Sequence, residues 1–208
     1  MTLKKFDVIL WILLITIMRK LLVTEFVSLD GVFQAPGPDG SGFKYEGWSF
    51  PFNNNEFMKF KVDELEATDI LLLGRVTYEG FADSWPQRSG DPFSDKFNSM
   101  PKYVVSKTLK NADWNNSHII SDNVIEEITK LKHEDGGDIT VHGSGSLSKF
   151  LIEHNLVDEI TIMVYPIILG IGRQLFTDMP KTKIKLIEAK PFQSGIVVLR
   201  YRPEEIEK

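Results

Sequence analysis

The stretch Asp138–Leu151, DITVHGSGSLSKFL, constrains this chain more than any other. Its run Ile139–Thr140–Val141 is β-branched throughout, as suits a buried strand. Gly143-Ser144-Gly145-Ser146 breaks that pattern, and Leu147, Phe150 and Leu151 then fall at i, i+3 and i+4, the spacing of one helical face. The segment reads as a strand, a glycine-rich turn and the first turn of a helix. Backbone N–H groups at such a helix start are unpaired and the helix dipole adds partial positive charge, so phosphate is a natural guest. A full dinucleotide fingerprint requires a third glycine where Ser148 stands. The plainer reading is an ordinary strand-to-helix turn with glycine at a left-handed position. The rest of the chain has to decide.

At 208 residues the chain suits one large domain or two small ones. A net charge of −5 offers no broad basic field, which argues against nonspecific nucleic-acid binding. The absence of cysteine excludes disulfides, thiol catalysis and Cys-based zinc sites. Four histidines without His-x-x-x-His spacing give no reason to expect a metal. Residues 1–17 differ from the remainder of the chain: Phe6–Ile17 is nearly all apolar, yet too short for a membrane span of about 20 residues. No small-residue cleavage site comes after it, so we read an N-terminal appendage with the domain beginning at Met18. A weak membrane anchor is the alternative.

Leu21–Val27 is the first strand, and Asp30-Gly31 is a strong turn dipeptide after it. Ala35–Gly47, with five glycines or prolines between Pro36 and Gly42, is a surface loop long enough to cover a site. Trp48, Phe50 and Phe52 form an aromatic patch that would wall a pocket or cap a core. Met58, Val62 and Leu65 predict a helix over Glu56–Ala67 and define its inner face. Asp69–Leu73 is a buried strand ending in Gly74-Arg75-Val76-Thr77, where backbone N–H groups and a guanidinium would suit a phosphate. Arg75 as a solvated charge and Thr77 as a helix cap are the plainer alternatives. Residues 83–101 read as a second loop, and Lys102–Val105 as a strand closing on Ser106-Lys107-Thr108. His118–Ile120 is a short strand; Val124, Ile128 and Leu131 mark a helix opened by Asp122 or Asn123, with Glu126 placed for a capping box. Glu159–Tyr165 alternates as a half-buried strand, and Ile184–Ala189 with Ile196–Tyr201 read as an antiparallel pair. The order of elements predicts an α/β fold with a mostly parallel sheet and antiparallel C-terminal edge strands. Three phosphate-friendly turns then fall at carboxyl ends of strands, where open α/β sheets bind ligands.

Val27-Ser28-Leu29-Asp30-Gly31, Leu73-Gly74-Arg75-Val76-Thr77-Tyr78-Glu79, Val105-Ser106-Lys107-Thr108 and His142-Gly143-Ser144-Gly145 occur in one order, followed by Pro166-x-x-Leu169-Gly170-x-Gly172-x-x-Leu175-Phe176. This series resembles the bacterial RibD C-terminal domain family, which shares the dihydrofolate reductase fold, over Met18 to Arg202. The resemblance implies a three-layer dihydrofolate reductase-like domain over residues 18–208, NADPH as cofactor, a small heterocyclic substrate, and a cytoplasmic homodimer of the riboflavin and folate reductase type. It implies that Gly74, Arg75, Val76 and Thr77, with Ser106 and Lys107, take the adenosine and its 2′-phosphate. Gly143, Ser144, Gly145, Ser146 and Leu147 would hold the pyrophosphate, and Val27, Leu29 and Asp30 would border the nicotinamide. Trp48 and Phe52 would face the substrate as apolar walls.

Two residues depart from dihydrofolate reductases. Gly143-Ser144 stands where they carry Gly-Gly, and apolar Met58 stands near their first-helix carboxylate, with Glu56 two residues away on another face. The reading is hydride transfer from NADPH to a pterin, an aminopyrimidine or a similar ring, with Asp30 as the candidate to relay a proton. Its competitors are a non-catalytic NADPH-binding module of the same fold and an NADH-preferring Rossmann dehydrogenase.

Overall fold

Leucine-rich and β-branched runs separated by helical spacings can pair in parallel only through crossovers, and the computed structural model, which describes residues 18–204, is built that way. In chain order it forms β1 (Leu21–Ser28), α1 (Asn55–Ala67), β2 (Thr68–Gly74), α2 (Arg75–Ser84), α3 (Pro92–Ser99), β3 (Lys102–Val105) and β4 (Ser117–Ile120). There come next α4 (Val124–Lys132), β5 (Asp138–His142), α5 (Gly145–Glu153), β6 (Glu159–Tyr165), β7 (Ile184–Pro191) and β8 (Val197–Pro203). The eight strands make one sheet in the order β4-β3-β2-β5-β1-β6-β8-β7. The first six are parallel, β8 is antiparallel to β6, and β7 closes the edge antiparallel to β8. The N-terminal appendage lies outside the described residues. Among those described, no peptide bond is cis and no helix is long and apolar enough to cross a membrane.

Each face of the sheet buries its own apolar set. On one face Leu21, Val23, Ile139, Val141 and Ile160 pack with Ile128 and Leu131 of α4 and Leu147 and Leu151 of α5. The other face carries two separate clusters. One is aromatic, around Trp48, Phe57, Tyr165 and Phe192; the other joins Leu65, Leu71, Leu73, Phe97 and Trp114.

Four local expectations are corrected. The buried face of α1 is Phe57, Lys61 and Leu65, while Met58 is 36% exposed. That face runs i, i+4, i+8 with a lysine in its middle, which hides it from a search for apolar periodicity. The loop expected over residues 83–101 contains α3. Asp91 caps this helix by accepting from the N–H groups of Phe93 and Ser94, and Pro92 sits in its first turn. Phe97 of α3 packs at 4.8 Å, centroid to centroid, on Trp85. The capping box at α4 does not form: Asn123 is left-handed, with φ 49°, and its side chain bonds no helix N–H. Finally, β6 is buried at nearly every position rather than half-buried, because β1 and β8 flank it and both faces are covered.

Candidate functional site

Parallel strands bring their carboxyl ends to one edge. In the order β3-β2-β5-β1, the segments Ser106–Lys107, Gly74–Thr77, Gly143–Leu147 and Leu29–Asp30 succeed one another along that edge. Adjacent segments are tied: Ser144 Oγ accepts from the Gly74 N–H at 3.0 Å and donates to the His142 carbonyl at 3.0 Å. Thr77 Oγ1 donates to the Gly143 carbonyl at 2.9 Å. Two helices, α2 and α5, begin here side by side, and neither has a side-chain cap on its first N–H groups.

The turn is built around its glycines. Gly143 is left-handed, at φ +59°. A Cβ on Gly145 would lie 2.6 Å from the Phe33 ring, so a side chain there would displace that ring. Around this turn Val27, Ser144, Gly145 and Leu147 are buried, whereas Gly143, Ser146, Leu29, Arg75, Val76 and Lys107 are exposed. Arg75 pairs with Glu79 one turn along α2, at 2.8 Å. Such an exposed pair is worth well under about 1 kcal/mol, so a phosphate could draw the guanidinium away cheaply. Ser106 is a turn former: its Oγ accepts from the N–H groups of Thr108 and Leu109. Lys107 projects beside it.

Asp30 is an anchor. Its carboxylate accepts from Ser28 Oγ at 2.6 Å and from the N–H groups of Leu169 and Gly170 at 3.1 and 2.8 Å. The Ser28 hydrogen bond first, and the two backbone donors after it, pull its pKa down to about 2. A folded pKa below the ordinary 3.8 contributes stability above pH 3.8 that is lost as pH falls through about 2. Asp30→Asn is therefore expected to destabilise the protein at neutral pH. The difference from wild type should shrink as urea unfolding is repeated below pH 3.8 and down through about pH 2. A difference that stays constant with pH would contradict this assignment.

Trp48 is only 5% exposed; its ring meets Tyr165 edge-on at 5.2 Å and its Nε1 donates to the Gln34 carbonyl at 2.8 Å. Phe52 touches the same tyrosine edge-on at 5.8 Å. Both belong to the aromatic cluster on the α1 face, and the base of the Ala35–Gly47 loop is closed by Gly47 N–H to the Ala35 carbonyl.

Three ionisable groups near this edge, buried Glu25 and Lys61 and half-buried His142, have no role that the sequence alone suggested. Glu25 lies mid-β1, 2% exposed, and accepts at Oε1 from Ser144 N–H (3.1 Å) and Ser148 Oγ (3.2 Å). Burial pushes its pKa up to about 8 against the smaller pull of those hydrogen bonds. His142, at the end of β5, is held neutral by burial and by the nearby Lys61 charge. Lys61 is 6% exposed. An acid interrupting LLVTEFV and a lysine at i+4 from Phe57 were the available signals.

Two concavities bear on the question. One of about 950 Å³ lies on the flank of α2 and α3 and is rimmed by Glu79, Asp83, Asp95 and Asp113, with Arg88 as its basic residue, a poor charge for phosphates. A smaller one of about 230 Å³ sits at the strand-end edge beside Asp30, Gly170 and Gln174. Among the described residues no group of His, Cys, Asp and Glu is arranged to hold a metal.

This sheet, its antiparallel tail and its strand-end glycine turn define a dihydrofolate reductase-like fold. Residues 19–198 match the RibD C-terminal domain, and the chain belongs to that family. It is 31% identical over 189 residues to uncharacterized protein YyaP of Bacillus subtilis (strain 168), covering 88% of this chain and 94% of that one. A Shewanella sp. PV-4 protein assigned to riboflavin biosynthesis superposes with a TM-score of 0.70 at 20% identity, over 89% of this chain and 99% of that one. Dihydrofolate reductase from Enterococcus faecalis, solved with NADP(H) and RAB-propyl, superposes with a TM-score of 0.59 at 16% identity, over 89% and 97%. At such identities these two structures bear on the fold alone.

Proposed function

We propose that this chain is an NADPH-dependent reductase that transfers a hydride to a pterin, an aminopyrimidine or a similar small heterocycle. The observation that carries the reading is the pair of uncapped helix starts, α2 and α5, side by side at neighbouring strand ends with Arg75 and Lys107 exposed next to them. Gly74, Arg75, Val76 and Thr77, together with Ser106 and Lys107, would take the adenosine and its 2′-phosphate. The exposed cations favour the phosphorylated nucleotide over NADH. Gly143, Ser144, Gly145, Ser146 and Leu147 would hold the pyrophosphate at the start of α5. Val27, Leu29 and Asp30 would border the nicotinamide, and Trp48 and Phe52 would wall the substrate side. When bound, the nucleotide would supply the hydride; the protein's share is orientation and electrostatics. A carboxyl that titrates near pH 2 holds no proton at neutral pH. Within this reading Asp30 fixes the loop beside the ring, and any proton it relays passes through water.

The test is a fluorescence titration of the full chain with NADPH and NADH. Micromolar binding of NADPH, with weaker NADH, is expected. Arg75→Ala and Lys107→Ala should each weaken NADPH by about 10-fold or more, the worth of one charge-assisted phosphate contact. Binding of neither nucleotide would overturn the reading.

A further inference from the structure

The reductase reading leaves the cavity of about 950 Å³ between α2 and α3 without a task, yet its walls are firmly built. Trp114 N–H donates to Tyr78 Oη at 3.0 Å, and Trp114 Nε1 donates to Asn98 Oδ1 at 2.9 Å. Asn98 Nδ2 in turn donates to the carbonyls of Trp85 and Arg88, at 3.0 and 3.1 Å. These bonds lock α2, α3 and the segment before β4 into one frame, so the cavity is formed before anything enters it. Its lining sets apolar Ala82, Pro86 and Leu109 beside carboxylates from three separate segments. Glu79 and Asp83 come from α2, Asp95 from α3, and Asp113 from the chain leading to β4.

Two things are missing from this cavity. The first is positive charge. Asp83, Asp95 and Asp113 form no salt bridge with a described residue, and Glu79 has only Arg75. Arg88, the basic residue of the lining, lies over the Trp85 ring, 5.0 Å from its centre. The second is a hydrogen-bond acceptor. Tyr78 lines the cavity at only 3% exposure, and its hydroxyl, which accepts from Trp114, finds no acceptor for its own proton among the described residues. A buried donor left unpaired costs free energy until something accepts from it. Asn111 and Ser89, also in the lining, make no side-chain hydrogen bond to a described residue and offer further donors. A metal ion answers neither need, since no described group of carboxylates and histidines is arranged to hold one. Carboxylates spread over three segments suit charges spaced along a chain, and the unpaired donors suit carbonyls between those charges. The apolar lining suits methylene stems. An extended peptide bearing lysine or arginine side chains has all three.

We propose that this cavity docks an extended basic peptide segment of a partner protein, and that its occupation tightens nucleotide binding. The link is the Arg75–Glu79 pair, whose carboxylate belongs to the cavity rim and holds the guanidinium at 2.8 Å. A partner's cation at Glu79 releases Arg75 for the 2′-phosphate, a step that rests on the reductase reading above. An exposed pair is weak, so the gain is about two- to threefold. By linkage, NADPH tightens the peptide by the same factor.

The probe is acetyl-Lys-Ala-Lys-Ala-Lys-amide, titrated by calorimetry into the full chain with NADPH present and absent. Spermidine, with the same number of charges and no carbonyl, is the control. Wild type is expected to bind the peptide about tenfold more tightly than spermidine. Asp83→Asn combined with Asp113→Asn should weaken the peptide about tenfold, while Glu66→Gln with Glu153→Gln, exposed carboxylates elsewhere, should not. Tyr78→Phe should weaken the peptide and leave spermidine unchanged; should that variant fail to fold, the aspartate pair still decides. Saturating peptide should lower the NADPH dissociation constant about two- to threefold, and Glu79→Gln should abolish that gain. No peptide binding, spermidine bound as tightly as the peptide, or full binding by the Asp83 and Asp113 double variant would each overturn the docking groove. NADPH affinity indifferent to the peptide would overturn the link through Arg75. Peptide binding by a chain that takes up no NADPH would sink the reductase reading and leave the groove standing.

Discussion

Glu25→Gln should stabilise this protein by several kcal/mol above about pH 8 and remove a loss that wild type suffers on the way there. The sign comes from burial. Glu25 is raised from 4.5 to about 8, so below pH 4.5 both folded and unfolded chains carry its proton. Between those values the unfolded chain releases the proton while the folded chain keeps it. Stability therefore falls with rising pH by about 1.4 kcal/mol per unit, on the order of 5 kcal/mol in all. Gln retains the Oε1 acceptor that Ser144 N–H and Ser148 Oγ use, so the fold should survive the exchange. Urea unfolding of both proteins across pH 4–9 gives the difference curve; a flat one would refute the assignment. A second consequence rests on the reductase reading. Once ionised, Glu25 places a negative charge under the first turn of α5, where the pyrophosphate is proposed to lie. NADPH affinity of wild type should fall above pH 8, and that of Glu25→Gln should not.

What the sequence disclosed of this fold tracks how directly each signal reports on burial. Strands showed themselves because Leu21–Val27, Asp69–Leu73 and Ile139–Val141 are central and covered on both faces, which demands continuous apolar runs. Helix α3 did not, since its loop-like composition hid an Asp91-Pro92 start and only two aromatics, Phe93 and Phe97, mark its inner face. The apolar residues of α1 pointed to the wrong face for a more telling reason: Lys61 occupies a core position, and periodicity counts a lysine as surface.

The site divides along the same line. Its strand-end segments were legible because glycines, hydroxyls and cations at turns are local features. Their convergence results from parallel order alone. The groups packed behind them were not legible. Glu25, Thr24 and His142 sit in strands whose neighbours are apolar, and their meaning depends on partners 119 residues away, as between Glu25 and Ser144. Asp30 shows the converse. Its Asp-Gly context announced a turn, while its hold on Leu169 and Gly170 required the tertiary structure.

Lys102→Met should cost roughly 2–4 kcal/mol, and Lys102→Ala somewhat more, because each strips donors from buried carbonyls. Lys102 is fully buried at the start of β3, and its Nζ reaches the Met100 carbonyl at 2.8 Å and the Asn115 carbonyl at 2.9 Å. The ammonium also lies over the Trp114 ring, 4.4 Å from its centre. It thereby clamps the end of α3 to the segment leading into β4. Methionine keeps the stem packed against Trp114 but donates nothing, so comparing the two variants separates lost hydrogen bonds from lost volume. The pH dependence gives an independent check. Burial draws the Lys102 pKa from 10.5 down to about 8, so between these values the unfolded chain holds the proton that the folded chain has released. Stability therefore rises with pH over that window, the reverse of the Glu25 contribution below it. The two effects meet near pH 8, where wild-type stability should pass through a minimum. Glu25→Gln should abolish the descending limb and Lys102→Met the ascending one. A wild-type profile that runs monotonically through pH 8 would show that at least one of these buried groups is held in the opposite protonation state.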